Sequence, residues 1–200
     1  QMELPFNTVY SKDILGNQAE SPVADWETKR AWVEYAFAEF QKAGYTVSSA
    51  YTVVKDPSKV NFSYRDNLWK GADLLATGIA SFGHASGVHY QNLADLEKYL
   101  STIEAGKLPL GRGFVPSSHQ KLVREMILLL KRGYLDAAYF RDKFGVEIMD
   151  EFSEQWQGYE TDGYVKLDGD SIELTNAGLL RVDALLPPFF EVEFQGVRYT

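Results

Sequence analysis

The segment from Asp73 to Gly87 constrains this chain more than any other, because it is apolar like a buried strand yet unusually bare. Leu74, Leu75, Ile79 and Phe82 supply the apolar character. Between them Gly78, Ala80, Ser81, Gly83, Ala85, Ser86 and Gly87 leave the backbone uncovered, so a bulky group can come close to it. The expectation is a strand from Asp73 to Phe82 centred on Gly78. Two readings of it compete: the strand packs closely on a helix, or its C-terminal end faces a ligand as barrel strands do. The glycines do not form a phosphate loop, since there is no Gly-Lys-Ser/Thr ending and no Gly-x-Gly-x-x-Gly spacing.

Around that segment strand and helix patterns alternate. Leu4 to Tyr10 has the β-branched and aromatic character of a strand. A polar loop through Ser21-Pro22 precedes a helix with Asp25 as N-cap, an apolar stripe of Val33, Ala36, Phe37 and Phe40, and Gly44 as its stop. Tyr45 to Val54 alternates like a second strand, so strand, helix, strand predicts a βαβ unit with parallel pairing. Leu93 to Ala105 reads as a helix ended by Gly106, and Lys107 to Gly113 as a Gly/Pro-rich crossing segment at a domain boundary. Beyond it Ser117 or Ser118 caps a helix carrying Leu122, Met126, Leu129 and Leu130, Asp136 caps a short helix to Phe144, and a third runs from about Val146 to Gln157. A hairpin then joins Tyr164–Leu167 to Ser171–Leu174 through Asp168-Gly169, and Thr175 caps a last helix that Pro187-Pro188 ends. Helices followed by a small hairpin describe a winged-helix-like module.

Over 200 residues, 45% apolar and 14% aromatic content is enough for one large domain or two small ones with genuine cores. No run approaches the roughly 20 uninterrupted apolar residues of a membrane helix, and Gln1-Met-Glu-Leu-Pro lacks the basic-then-apolar start of a signal peptide. A soluble, cytoplasmic protein with no membrane partner is expected. The net charge of −8, from 28 acidic and 20 basic residues, disfavours nucleic acid as a partner. In a DNA-binding winged helix the 146–157 helix would be the reader, yet it carries Glu147, Asp150, Glu151 and Glu154 with no Lys or Arg. Cysteine is absent, which excludes disulfides and a thiol nucleophile, and the Ser/His pairs lie in no strand-turn-helix elbow. No catalytic residue is assigned.

Asp73, Leu74, Leu75 and Gly78, followed by Gln91-Asn92, match a pattern in which an Asp-Leu-Leu/Ile-Gly-x-Gly strand leads to a Gln-Asn pair; Leu122 to Asp136 and Ile172 to Gly178 match the C-terminal domain that accompanies it. On these residues the chain resembles the oxygen-independent coproporphyrinogen III oxidase family of radical S-adenosylmethionine enzymes. The resemblance implies an α/β plus α+β fold, with residues 1–106 as the terminal strand–helix units of a partial (β/α) barrel and 113–200 as a winged-helix-like domain that covers the barrel mouth. It implies oxidative decarboxylation of porphyrinogen propionates in heme biosynthesis, a tetrapyrrole substrate, and S-adenosylmethionine and a 4Fe–4S cluster as cofactors. That cluster is held by a Cys-x-x-x-Cys-x-x-Cys loop, and iron–sulfur clusters need such thiolates. This chain has none. It is therefore expected to be the C-terminal portion of a longer enzyme, inactive by itself, partnered by a missing N-terminal barrel portion and prone to self-association at the surfaces thereby exposed. Other branches of the family imply a heme-binding chaperone or a heme-degrading radical methyltransferase, with a winged-helix interaction module as a further alternative. The chain departs from the oxidases at Ser63-Tyr64, where a Gln is expected, and from the heme-trafficking branch at Asp66-Asn67, where His-Asn is expected.

The resemblance also implies cofactor contact by backbone at Ile79, Ala80 and Ser81, beside Gly78. Arg65, with Lys70 and Arg112, flanks the bare strand, where a guanidinium suits the carboxylates of a substrate. Tyr64, Trp69, Phe82 and Tyr90 either wall a flat tetrapyrrole or belong to the core. His84 and His89 have no third ligand at zinc spacing, so no metal site is expected; they are loop histidines or handle protons near a substrate. The candidate substrate-contacting set is Tyr64, Arg65, Trp69, His84 and Gln91.

Overall fold

A computed structural model describes residues 8–16 and 24–196. In chain order it contains α1 (Val9–Leu15), α2 (Trp26–Lys42), β1 (Thr46–Ser49), β2 (Thr52–Val54), α3 (Ser63–Trp69), β3 (Phe82–Ala85), β4 (Val88–Asn92), α4 (Leu96–Glu104), β5 (Leu110–Phe114), α5 (Ser118–Leu130), β6 (Tyr134–Asp136), α6 (Ala137–Phe144), α7 (Ile148–Glu151), α8 (Ser153–Thr161), β7 (Val165–Asp168), β8 (Ser171–Leu174), α9 (Asn176–Leu179) and α10 (Val182–Leu185). This is a mixed α/β chain with small sheets. It divides into two compact units, the first drawn from Gln1–Val60, Lys131–Tyr134 and Phe152–Thr200, the second from Asn61–Leu130 and Leu135–Glu151. Residues 106–113 lie within the second unit.

In the first unit the strand expected over Leu4 to Tyr10 gives way to a helix. Thr8 accepts a hydrogen bond from the Ser11 amide and so caps α1, which takes Val9 and Tyr10; Leu4 to Asn7 lie outside the described residues. Asp25 caps α2 through the Thr28 amide at 2.8 Å, and the helix stops at Gly44, whose φ of +85° a side chain would resist. Tyr45 to Val54 is two strands instead of one. β1 and β2 pair antiparallel from Thr46↔Val54 to Ser49↔Thr52, so this part of the chain is a hairpin and not the return strand of a parallel βαβ unit. A close reversal satisfies both strands locally, whereas parallel pairing needs a long crossover.

The rest of that unit is built on buried aromatic packing. Trp156 of α8 is 1% exposed, with its ring 4.7 Å from Phe189, and Phe152 packs edge-on against the same ring. Each such burial contributes about 1.5–3 kcal/mol. β7 and β8 pair from Val165↔Leu174 to Asp168↔Ser171, which puts the turn at Gly169 (φ +56°) and Asp170, one residue beyond the expected Asp168-Gly169. The helix expected from about Val146 to Gln157 is broken into α7 and α8, and the one before Pro187-Pro188 into α9 and α10. Thr175 caps α9 as anticipated, through the Gly178 amide.

In the second unit α5 supplies the core, burying Leu122, Val123, Met126, Leu129 and Leu130. Ser117, not Ser118, is its cap: Ser117 Oγ accepts from the Gln120 amide and Gln120 Oε1 accepts from the Ser117 amide, a reciprocal capping box. Glu125, on the same helix, is 5% exposed and is matched by Lys143 at 2.8 Å and the Tyr139 hydroxyl at 2.7 Å. Lys143 also donates to the Lys70 carbonyl at 2.8 Å. A Cβ at Gly71 would overlap the Glu125 carboxylate, so this network fixes the turn after α3 and requires glycine there. Lys107 to Gly113, expected as a crossing segment, ends in β5, which pairs antiparallel with β4.

Candidate functional site

The segment from Asp73 to Phe82 is not the continuous strand that its sequence predicts. Leu74 forms an isolated bridge to His84, with N–H···O distances of 2.6 and 2.9 Å, and regular strand begins only at Phe82. The cause is at Gly78 and Ala80, whose φ values of +93° and +55° turn the chain out of the extended region. For Ala80 that conformation costs on the order of 1–3 kcal/mol, so the surroundings must enforce it.

They do so from β4 and α4. The Tyr90 hydroxyl accepts from the Ala76 amide at 2.9 Å, and the Tyr99 hydroxyl from the Gly78 amide at 3.1 Å. Asn92 Nδ2 donates to the Gly78 carbonyl at 3.0 Å and Gln91 Nε2 to the Ala80 carbonyl at 2.9 Å. The Ala80 amide donates to the Leu93 carbonyl, while the Asn92 amide donates to that of Ser81. Within the turn, Ser81 Oγ donates to the Thr77 carbonyl at 2.6 Å. Gln91 is itself oriented by Arg112, whose Nε donates to Gln91 Oε1 at 2.7 Å. Ile79 stands at the tip, 45% exposed.

The small residues of this segment serve different needs. Gly83 faces Tyr90 across β3 and β4, and a Cβ there would overlap the tyrosine ring as it crosses toward Ala76. Ser86 (φ +50°) and Gly87 (φ +76°) form the two-residue turn between Ala85 and Val88, with Asp73 Oδ1 accepting from the Ser86 amide at 2.8 Å. Bareness at 83, 86 and 87 thus belongs to the chain's own packing. At Gly78 a Cβ would meet only Ser81 Oγ, at 3.5 Å, so the space beside that backbone is open.

Beside the turn lies a cavity of about 780 Å³, floored by Leu75, Ala76 and Thr77 and walled by Tyr90, Asn92, Tyr99, Ile103, Leu108 and Arg112 among others. Its size and its mostly apolar wall with a few polar groups are those of a small-molecule site. Gly78, Ile79, Ala80, Ser81 and Gln91 form or hold the turn next to it, whereas Tyr64, Arg65, Trp69 and His84 do not line it.

Arg65 lies on α3 with its guanidinium 4.4 Å from the Phe62 ring centroid and 5.2 Å from that of Trp69. Its Nε donates to Asp66 at 2.8 Å, and its Nη1 is buried with no hydrogen-bond partner. A buried unmatched donor on a clamped arginine is where a carboxylate would gain most. Tyr64 is 70% exposed and Trp69 half-buried. His84 is 7% exposed, with Nδ1 3.4 Å from the Ala72 carbonyl and its ring 4.6 Å from that of His89. Burial, followed by His84, Arg124 and Lys121, pushes His89 down from 6.5 to about 4, so it stays neutral near pH 7.

No protein-family model matches the chain. Over 117 residues it is 26% identical to the oxygen-independent coproporphyrinogen III oxidase of Pseudomonas aeruginosa, covering 56% of this chain and 25% of the relative. The enzyme of the same name from Helicobacter pylori is 27% identical over 113 residues, again covering 25% of the relative. Among solved structures, the coproporphyrinogen III oxidase of Escherichia coli, a radical SAM enzyme, matches with a TM-score of 0.69 over 93% of this chain and 45% of that one, at 18% identity. This chain resembles the oxygen-independent coproporphyrinogen III oxidases. It spans about a quarter of the length of the curated oxidases it matches.

The absence of cysteine means the chain has no thiolate for an iron–sulfur cluster, and among the described residues no group of three His, Asp or Glu could hold a metal ion. The 200 residues do not fit the cluster that the name radical SAM implies. What they do offer is a backbone turn held by side-chain hydrogen bonds, a mostly apolar cavity beside it, and an arginine with one buried unmatched donor. Among the described residues no helix is long and apolar enough to cross a membrane. Sequence reasoning passed over Tyr99, one of the turn's two phenolic supports. Its signal was a polar-tipped aromatic on a short, otherwise apolar helix face beside Leu96, Leu100 and Ile103.

Proposed function

We propose that this chain is the C-terminal portion of a radical S-adenosylmethionine protein that acts on a tetrapyrrole in the manner of oxygen-independent coproporphyrinogen III oxidase, with the cluster ligands on another part of the polypeptide. The observation that carries this reading is the sequence match to oxidases of one named activity, 26% identical over 117 residues. The fold likeness over 93% of the chain supports the same assignment. In this reading the C-terminal helices and the β7–β8 hairpin form a winged-helix-like domain, while the antiparallel pairing of β1–β2 and β3–β4–β5 stands where parallel strand–helix barrel units were expected.

The backbone from Gly78 to Ser81 would hold S-adenosylmethionine, which supplies the radical-forming chemistry when bound beside a cluster. Supporting this are the open space at Gly78, the exposed tip at Ile79 and the external bracing of the turn by Gln91, Asn92 and Tyr99. A turn held in place before binding loses little entropy on contact. Arg65, on α3 beside Tyr64 and Trp69, would take a propionate of the tetrapyrrole, with Tyr64 and Trp69 flanking the ring and His84 and Gln91 completing the contact set.

Titration of coproporphyrin III into the chain, followed by its Soret band, tests the binding half of this reading. Saturable binding is expected, weakened about tenfold or more by Arg65→Gln because a charge-assisted contact is lost. An unsaturable response, or equal affinity in Arg65→Gln, would remove Arg65 from the site. Tight binding of heme with none of coproporphyrin would move the chain to the heme-handling branch.

A further inference from the structure

The strand register of the second unit sets Phe82 of β3, Gln91 of β4 and Arg112 of β5 in one row, Phe82 opposite Gln91 and Gln91 opposite Arg112. Residues directly opposite one another across strands share a face of the sheet. The row stands at the end of the sheet that holds the turn, because Gln91 Nε2 donates to the Ala80 carbonyl at 2.9 Å. Arg112 Nε donates to Gln91 Oε1 at 2.7 Å, and its guanidinium lies 6.0 Å from the Phe82 ring centroid. Both ends of the Gln91 amide are thus in use, and Gln91 ties the arginine to the turn.

Two features of this row have no explanation in the folding of the chain itself. Phe82 is 65% exposed, a large aromatic ring left to solvent beside the turn. Arg112 is exposed too, and apart from its bond to Gln91 it has no hydrogen bond or ion pair among the described residues. Arg65, by contrast, already donates to the Asp66 carboxylate at 2.8 Å. Of these two arginines, Arg112 is therefore the one whose charge no carboxylate answers. A guanidinium fixed at Nε keeps its two Nη groups for a carboxylate and loses little entropy when one arrives. We propose that Arg112 is a carboxylate anchor of this site, receiving one acid group of a tetrapyrrole while the adjoining ring lies against Phe82. The assignment rests on the tetrapyrrole reading above and adds to it an anchor on the sheet, besides Arg65 on α3. Arginines on different elements suit a ligand whose carboxylates are spread around a wide body.

Coproporphyrin III and its tetramethyl ester, which has the same ring and no free carboxylate, separate this contact from an indirect effect through Gln91. Both are titrated by Soret absorbance in one detergent-containing buffer. Arg112→Gln is expected to weaken the acid about tenfold and the ester less than about twofold, since only a free carboxylate feels the loss of the charge-assisted contact. Arg112→Lys, which keeps the charge, should retain more of the acid affinity than Arg112→Gln. In the wild type the Phe82 ring protons should show ring-current shifts on saturation with either ligand. Equal weakening of acid and ester in Arg112→Gln would reduce Arg112 to a support for Gln91 and overturn the anchor. Unchanged affinity of Arg112→Gln for the acid overturns the anchor alone and leaves the tetrapyrrole reading standing. Failure of the wild type to saturate with either ligand overturns both. Acid-selective weakening without a shift at Phe82 overturns the placement of the ring on this row.

Discussion

Replacing Gly83 by alanine tests whether the bareness of this segment serves the chain's own tyrosine. Gly83 is buried in β3 opposite Tyr90, and its φ is not left-handed, so backbone preference alone would favour alanine by about 0.4–1 kcal/mol. The new Cβ, however, would overlap the Tyr90 ring. Moving the ring forfeits the Tyr90–Ala76 hydrogen bond, about 1 kcal/mol, and forced repacking adds about 1–3 kcal/mol, for a net destabilisation of about 1–3 kcal/mol. The diagnostic is the coupling. In a Tyr90→Ala background the overlap is gone, so Gly83→Ala should cost nothing there, and the cycle should return about 1–3 kcal/mol of interaction energy. Urea unfolding of the four proteins by far-UV circular dichroism measures it, with amide exchange at Ala76 as the local readout. Faster Ala76 exchange is expected in both Gly83→Ala and Tyr90→Phe. An equal cost of Gly83→Ala with and without the Tyr90 ring would refute the argument.

Other substitutions probe the rest of the molecule. His89 takes up its proton less readily folded (about 4) than unfolded (6.5), so its contribution to stability is complete above about pH 6.5 and is lost as the pH falls toward 4. Discounted for the ring's partial exposure, the loss is about 1–2 kcal/mol. His89→Phe should flatten that acid limb in urea midpoints taken between pH 4.5 and 7.5, and an unchanged limb would assign it to another group. Gly178→Ala would drive a Cβ into the Tyr164 carbonyl oxygen, which already accepts from the Thr175 amide and cannot step aside. A loss of about 2–3 kcal/mol is expected in thermal melts, against about 1 kcal/mol for Gly163→Ala, where φ is +75° but the space is open.

The features legible in the chain were those whose causes lie within a few residues. Asp25, Asp136 and Thr175 cap helices because their side chains reach amides two or three positions on. Even the choice of Ser117 over Ser118 was local, since it rests on Gln120. Strand pairing was not local. Alternation over Tyr45 to Val54 fits one long strand as well as two short ones, and only a partner selects between them. Thr8 likewise carried β-like neighbours into a helix once its side chain closed on Ser11.

The same division runs through the candidate site. Composition alone determined that these 200 residues carry no thiolate for an iron–sulfur cluster, because no folding event can create a ligand atom the chain lacks. Sequence also determined where the backbone is uncovered, from Gly78 to Gly87. Only tertiary structure decided what each uncovered position is for. Gly83 yields to Tyr90, Ser86 and Gly87 make a turn, and Gly78 alone among the four opens to space beside a cavity. Those roles depend on Tyr90, Asn92 and Tyr99, whose hydroxyl and amide groups reach the turn only after β4 and α4 have docked. A hydrogen bond between groups distant along the chain becomes favourable once packing has met the entropy of bringing them together, and local sequence carries no record of that balance.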